Sequence, residues 1–266
     1  MVNFQYKARY DIQDFRRIME LLRGEGGCPW DRVQTHESIR RNMLEEAYEA
    51  VAAIDHADME NLREELGDLQ MQVLFHARME EEVGGFNFDD VCNEACQKLI
   101  RRHPHVFGDA SADTPDAVLA TWDAVKREEK KQKSTSRAMA DVADALPALW
   151  RAEKIQSKAR KDGFDWPDWR GAREKLTEEL KELDDAIAAG SGVEDELGDV
   201  LAAAVNLARL LDVDPEKALN ASSDRFIARY TRMEELAEDE GKTLSALSLD
   251  EQETLWQTAK RELAGS

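Results

Sequence analysis

The sequence predicts an all-α protein built as two tandem helical-bundle domains related by internal duplication. Three observations carry this expectation. Ala, Glu, Leu, Arg and Asp dominate, only six Pro occur, and strand-like alternation of Val, Ile and Thr is missing. Apolar residues recur at helical spacing between Gly and Pro breaks. An ordered set of polar and aromatic motifs also appears twice along the chain. A length of 266 residues suits two medium domains. The lysine-rich stretch from Lys130 to Ser136 reads as the linker, so the domains are expected at 1–133 and 134–266.

Residues 4–23 read as an amphipathic helix with Phe15, Ile18, Met19, Leu21 and Leu22 on its apolar side, stopped by Gly24 to Gly27. A loop follows, Gly27-Cys28-Pro29-Trp30-Asp31, in which Trp30 is either a packing anchor or a wall for a base. Thr35, or alternatively Ser38, is placed to cap the helix that carries Glu45. A second helix runs from about Met59 to Glu82 and is stopped by Gly84-Gly85. A third covers about Phe88 to Arg102, with Lys98 and Arg102 four apart on one face. In so acidic a chain this basic pair either compensates the helix dipole or binds phosphate. His103 and His105 flank Pro104 and are not expected to be ligands. Trp122 and Lys126 lie on a further helix before the linker.

The central motif is acidic. Glu45-Glu46-Ala47-Tyr48-Glu49 is followed, fifteen residues on, by Glu65-Leu66-Gly67-Asp68. Helical spacing of three and four puts Glu46 with Glu49, and Glu65 with Asp68, on shared faces. The interval holds a helix end, a turn and a new helix start, so an antiparallel hairpin would set the two acidic faces opposite each other. Acidic residues on a helix usually make a solvated face. Here, however, the runs after Asp68 and after Asp199 are apolar nearly all round, as in a buried helix. Clustered carboxylates at the edge of such a helix need a cation or must take up protons. Hard oxygen ligands favour Mg²⁺, Mn²⁺ or Ca²⁺ over zinc.

The second half replays this order. Gly163-Phe164-Asp165-Trp166 echoes Gly27 to Trp30, and Glu178-Glu179-Leu180-Lys181-Glu182 precedes Glu196-Leu197-Gly198-Asp199 by thirteen residues. Arg225 and Arg229 sit where Lys98 and Arg102 sit, and Trp256 stands where Trp122 stands. A duplication kept only for packing would keep apolar spacing with less regard for these polar groups.

A net charge of −20 argues against a nucleic-acid backbone or an anionic membrane as main partner. It is compatible with a nucleotide ligand only once metal ions are counted. Neither a secretory signal nor an apolar span of about 18 residues is evident. Cys28, Cys92 and Cys96 form no CxxC pair and read as reduced thiols of a cytoplasmic protein.

With these motifs in place, the chain resembles a two-domain member of the MazG family of nucleoside triphosphate pyrophosphohydrolases. The resemblance extends over essentially the full length. It rests on Gly27 to Asp31, the doubled EExxE…ExxD pattern, Arg101-Arg102-His103-Pro104-His105-Val106-Phe107, and Gly163 to Trp166. It implies an all-α homodimer that uses Mg²⁺, with Mn²⁺ able to substitute. It also implies cleavage of a nucleoside triphosphate between the α and β phosphates, chiefly by the C-terminal domain. By that resemblance Glu179, Glu182, Glu196 and Asp199 are metal ligands, with Glu46, Glu49, Glu65 and Asp68 as N-terminal counterparts. Lys175, Arg225 and Arg229 contact phosphate and Trp256 lies near the nucleotide, with Lys98, Arg102 and Trp122 as counterparts. Position 225 departs from the pattern, which has Lys there. Glu178 or Glu179 is the expected proton acceptor. The alternatives are a non-catalytic metal-binding scaffold, an acidic regulator, or a pyrophosphohydrolase restricted to one nucleotide.

Overall fold

The computed structural model describes residues 2–264 apart from 116, 119, 120, 123, 124 and 126–133. Lys126 and the Lys130–Lys133 part of the expected linker therefore lie outside the described residues. Among the described residues every regular element is a helix, and no helix is long and apolar enough to cross a membrane. The chain divides into two compact units, residues 1–126 and 127–266.

The first unit opens with α1 (Ile12–Arg23). It starts eight residues later than the sequence pattern suggests, because Asp11 breaks the pattern as a cap. Its side chain accepts the Gln13 and Asp14 N–H groups, while Asp14 reaches back to the Asp11 N–H. The single turn α2 (Pro29–Arg32) follows, then α3 (Arg40–Asp55) and α4 (Met59–Glu82). Neither Thr35 nor Ser38 caps α3 itself, whose N-cap is Ile39 with no side-chain bond. Instead these two close the preceding turn on each other, Thr35 N–H donating to Ser38 Oγ at 2.9 Å and Ser38 N–H to Thr35 Oγ1 at 3.3 Å.

Helices α3 and α4 form an antiparallel hairpin through His56–Asp58, with Ala57 in the left-handed region (φ 56°) and Asp58 capping α4. Next in the unit come α5 (Phe88–Arg102), capped by Asn87, and the short α6 (Pro104–Phe107), and Trp122 lies in helical backbone further on. Met19, Ile39, Phe75 and Met79 make its core, with Met71 packed against them.

Arg23 ties this unit together. Its side chain is only 6% exposed, and Nη2 donates to Glu82 of α4 at 2.8 Å. Nη1 donates to the Asp31 carbonyl at 2.6 Å and the Gln34 carbonyl at 3.3 Å. One guanidinium thus holds the end of α1, the Trp30 loop and α4, and it lies over the Phe75 ring at 5.2 Å.

The second unit contains α7 (Thr135–Ala140), α8 (Ala148–Arg160), α9 (Trp169–Ala189), α10 (Val193–Leu210), α11 (Pro215–Asp239) and α12 (Leu249–Ala264). Helices α9 and α10 form the matching hairpin, turned by Gly190 and Gly192, both left-handed (φ 68° and 77°). Helix α8 packs on α10, and α11 packs on α8 and α12. A buried arginine again fastens the aromatic loop. Arg209 of α10, 7% exposed, forks onto Asp165, with Nη1 donating to Oδ2 at 3.0 Å.

Each hairpin leaves an apolar stripe uncovered within its own chain. Leu44, Tyr48 and Val51 are exposed on α3, and Leu180 and Ile187 on α9, with Leu197 and Leu201 on α10. At helical spacing these lie away from the carboxylate-bearing faces.

Replacing Arg23 by Ala should lower the stability of the first unit by roughly 3 kcal/mol, the loss typical of breaking a buried ion pair from one side. Chemical denaturation should show this as a lower midpoint for that unit's transition. A midpoint within error of the unmodified chain would contradict the pinning role.

Candidate active site

Both hairpins bring carboxylates together, as helical spacing requires. In the first unit, ligand-capable oxygens of Glu46, Glu49 and Glu65 all lie within 4.8 Å of one another. In the second, Glu179, Glu196 and Asp199 do the same. Asp68 borders the first group, close enough for its charge to hold Glu46 and Glu65 up. Glu182 borders the second group beside Glu179.

Three carboxyls are held above the usual range. For Glu46 the cause is loss of water first, then the charges of Asp68, Glu49 and Glu65. Desolvation followed by Glu49 and Asp68 raises Glu65. Desolvation followed by Glu179 raises Glu182.

The residues fit a divalent cation. Glu179 is buried, 6% exposed, and its Oε2 has no hydrogen-bond partner among the described residues. A buried carboxylate oxygen without a partner is costly, and a cation shared with Glu196 and Asp199 would satisfy it. The other oxygen, Oε1, accepts from Lys175 Nζ at 2.7 Å, and the same ammonium bonds Glu178 at 2.8 Å. Those two glutamates raise the Lys175 pKa, Glu178 first. Lys175 is thus a built-in counter-charge at the edge of the carboxylates, and Glu178 lies on the exposed rim. In the first unit Asn42 takes the position of Lys175.

The basic residues form a separate group. Arg229 lies over the Trp256 ring at 5.7 Å, and Phe226 packs on the same ring at 5.0 Å. Arg225 and Lys98 are exposed. Among the described residues no hydrogen bond or ion pair joins Lys98, Arg225 or Arg229 to the carboxylates. Arg102 closes α5, and Trp122 lies near the His103 ring at 6.2 Å. The structure therefore gathers the acidic residues into groups and leaves the basic ones on the neighbouring helices α5 and α11.

Sequence reasoning missed a polar row on α4. Gln72 is buried beside Glu46 and keeps Oε1 unpartnered. One turn further, His76 Nδ1 lies 2.7 Å from His36 Nδ1, and His36 Nε2 lies 2.8 Å from Glu80 Oε1. Because the carboxylate accepts, His36 donates from Nε2, and with His36 neutral its Nδ1 accepts. His76 then donates from Nδ1, which leaves its buried, unpartnered Nε2 as a lone pair. Burial, then the neighbouring His36, pushes the His76 pKa down. The signal was legible as Asp68, Gln72, His76 and Glu80, four apart along the helix. In the second unit the same register carries Ala203, Leu207 and Leu211.

Comparison with known proteins agrees with this architecture. The family model for the MazG nucleotide pyrophosphohydrolase domain matches residues 34–107 and 171–233, one segment over each hairpin. The chain is 44% identical over 249 residues to a Thermotoga maritima protein named nucleoside triphosphate pyrophosphohydrolase/pyrophosphatase MazG, covering 94% of this chain and 95% of that one. It is 42% identical over 250 residues to the Escherichia coli nucleoside triphosphate pyrophosphohydrolase, covering 92% and 95%. A Bacillus subtilis protein, YabN, is 42% identical over 253 residues that make up 52% of its length. A duplicated all-α hairpin with facing carboxylates defines a class of nucleotide-processing helical proteins. The chain belongs to the MazG nucleotide pyrophosphohydrolase family.

The raised carboxyls set a pH dependence. In the metal-free chain the folded state holds protons there that the unfolded state has lost, so that contribution to stability is present at low pH and disappears as pH rises through the raised pKa values. A divalent cation substitutes for those protons. Adding Mg²⁺ should therefore raise the melting temperature more at about pH 7.5 than at about pH 5. Equal increments at both values, measured by calorimetry, would sink the metal assignment.

Proposed function

We propose that this chain is a Mg²⁺-dependent nucleoside triphosphate pyrophosphohydrolase, with Mn²⁺ able to substitute. It cleaves a nucleoside triphosphate between the α and β phosphates to the monophosphate and pyrophosphate, as a cytoplasmic housekeeping activity. The observation that carries this reading is the buried Glu179 with an unpartnered oxygen, grouped with Glu196 and Asp199 and flanked by Lys175. Two long relatives carry the name of that activity.

In the mechanism, Glu179, Glu182, Glu196 and Asp199 hold the metal. When bound, the metal supplies charge neutralisation for the polyphosphate and a lowered pKa for water. Glu178 or Glu179 accepts the proton of the attacking water. Lys175 leaves its glutamate partners to donate to phosphate oxygens. Arg225 and Arg229 stabilise the charge that develops on the departing pyrophosphate, with Arg229 lying over the Trp256 ring. Glu46, Glu49, Glu65 and Asp68 form a second metal site, with Lys98, Arg102 and Trp122 beside it. That site has Asn42 in place of Lys175, which supports assigning the main activity to the C-terminal domain, residues 134–266.

The uncovered apolar stripes on α3, α9 and α10 support a homodimer in which a second copy covers them. Sedimentation equilibrium should return twice the 30.2 kDa chain mass. A scaffold or acidic regulator would respond to Mg²⁺ alone, whereas this enzyme's melting temperature should also respond to nucleotide.

Product analysis is the direct test. ATP with Mg²⁺ should give AMP and pyrophosphate with no ADP. Glu182→Gln should lower the rate on the order of 10²-fold or more. ADP with orthophosphate as products would refute cleavage between the α and β phosphates, and full activity in Glu182→Gln would refute the C-terminal assignment.

A further inference from the structure

The first unit's aromatic loop is closed against α4 by a pair of imidazoles. Within the loop, Gln34 Nε2 donates to the Trp30 carbonyl at 2.9 Å, and Ser38 Oγ donates to Gln34 Oε1 at 2.7 Å. His36 stands between Gln34 and Ser38, just before buried Ile39 and the start of α3. Arg23 holds the front of the loop through the Asp31 and Gln34 carbonyls. His36 holds the back of it through the chain Glu80–His36–His76.

The two imidazoles meet edge to edge. Their planes differ by 8° and their centroids lie 5.0 Å apart. That separation is the 2.7 Å Nδ1···Nδ1 distance plus one ring radius on each side, so the rings are coplanar and the two nitrogens face each other. One proton fits between them, and two do not. The neutral pair holds two protons in all. His36 Nε2–H donates to Glu80 Oε1 at 2.8 Å, and His76 Nδ1–H donates to His36. Every N–H then has an acceptor, and the buried Nε2 of His76 is a lone pair.

A third proton ends that state. If the bond between the rings is kept, the added N–H falls on His76 Nε2, whichever ring carries the charge. That atom is buried and faces no acceptor. If the bond is given up, two N–H groups oppose each other. The surrounding charges do little to offset this. Glu80 favours an imidazolium at His36, but the two side chains are 30% and 41% exposed, and water screens the attraction. Glu37, in the same turn, feels His36 least among its partners. Arg23 of α1 is paired with Glu82, Arg78 of α4 with Glu81, Arg41 of α3 with Glu45, and Asp89 of α5 with Arg16. Burial first, then His36, pushes the His76 pKa down.

We propose that the Glu80–His36–His76 chain is a pH-operated clasp on the Trp30 loop, closed while the two imidazoles hold two protons and opened in mild acid when they take up a third. Opening frees the turn that leads into α3, and so loosens the helix that presents Glu46 and Glu49. In the open loop both imidazoles meet water and titrate near their ordinary value of about 6.5. The closed loop resists the extra proton, so the clasp is at full strength above that value and is lost as pH falls below it. The inference concerns the first unit alone and is independent of the pyrophosphohydrolase reading. The second unit contains no histidine, and Leu207 and Leu211 take the register of His76 and Glu80.

Hydrogen exchange of the full chain without added metal, read by mass spectrometry and corrected for the intrinsic exchange rate, tests the clasp. Protection of residues 30–39 should fall about tenfold between about pH 7.5 and about pH 5.5, the loss for one proton resisted one unit below the ordinary imidazole value. Residues 166–172 of the second unit are the internal reference and should not change. His76→Asn offers His36 an amide N–H in place of Nδ1–H and does not titrate, so protection should stay high at both values. His76→Leu, which copies the second unit, should give lower protection that is equal at both. Protection that does not fall in the unmodified chain overturns the proposal. An equal fall in the second unit, or an undiminished fall in both variants, overturns it as well.

Discussion

Everything in this molecule depends on holding like charges together on facing helices. Each hairpin sets three carboxylates within 4.8 Å of one another, an arrangement that water would relieve if the helices parted. Three features outside the carboxylates prevent it. The turns are tight, made by Ala57 in the first hairpin and by Gly190 and Gly192 in the second, all in the left-handed region. The helices are packed along their length beyond the acidic ends, with Leu74, Phe75 and Met79 buried on α4 and Val205 on α10. Each aromatic loop is then pinned by a buried arginine, Arg23 to Glu82 and Arg209 to Asp165. The repulsion is what makes the site useful, because a preorganised group of unsatisfied oxygens binds a cation without having to reorganise.

Much of this was legible in the sequence. Helices α4 and α5 begin and end where the pattern places them, because Asp58, Asn87 and Gly84 are strong local signals that packing does not override. The carboxylate groups were equally legible, since spacing of three and four on a helix leaves little freedom. The start of α1 was not. Residues 4–10 contain Phe4, Tyr6 and Tyr10, and both tyrosine rings pack on Phe4, Tyr6 edge-on and Tyr10 stacked, outside the helix that Asp11 caps. The α3 boundary failed similarly. Thr35 and Ser38 are good caps, and they spend that capacity on each other in the turn before the helix.

The harder part of the site was the set of neutral polar residues. Gln72 and His76 have no charge pattern and sit in a largely apolar stretch, where a single polar residue is easily read as tolerated. Their meaning comes from tertiary partners. Gln72 matters because Glu46 is beside it, and His76 because His36 and Glu80 orient it. None of these pairings is local in sequence except Asp68, Gln72, His76 and Glu80.

Those neutral residues also separate the two halves. Both keep the carboxylates, so both retain the capacity for a cation. Beyond the carboxylates they diverge in opposite senses. The first unit has Asn42, a buried glutamine and a Glu80–His36–His76 chain ending in a buried imidazole lone pair. The second has Lys175 and an apolar register through Ala203, Leu207 and Leu211. A duplicated site under one common constraint would drift toward the same neighbours in both copies. Here the constraint common to both covers the carboxylates, the basic pair and the aromatics Trp30/Trp166 and Trp122/Trp256, and the neutral residues around the carboxylates are what differ. The two halves therefore share one acidic framework and differ in what lines it, with Lys175 answered by Asn42 and His76 by Leu207.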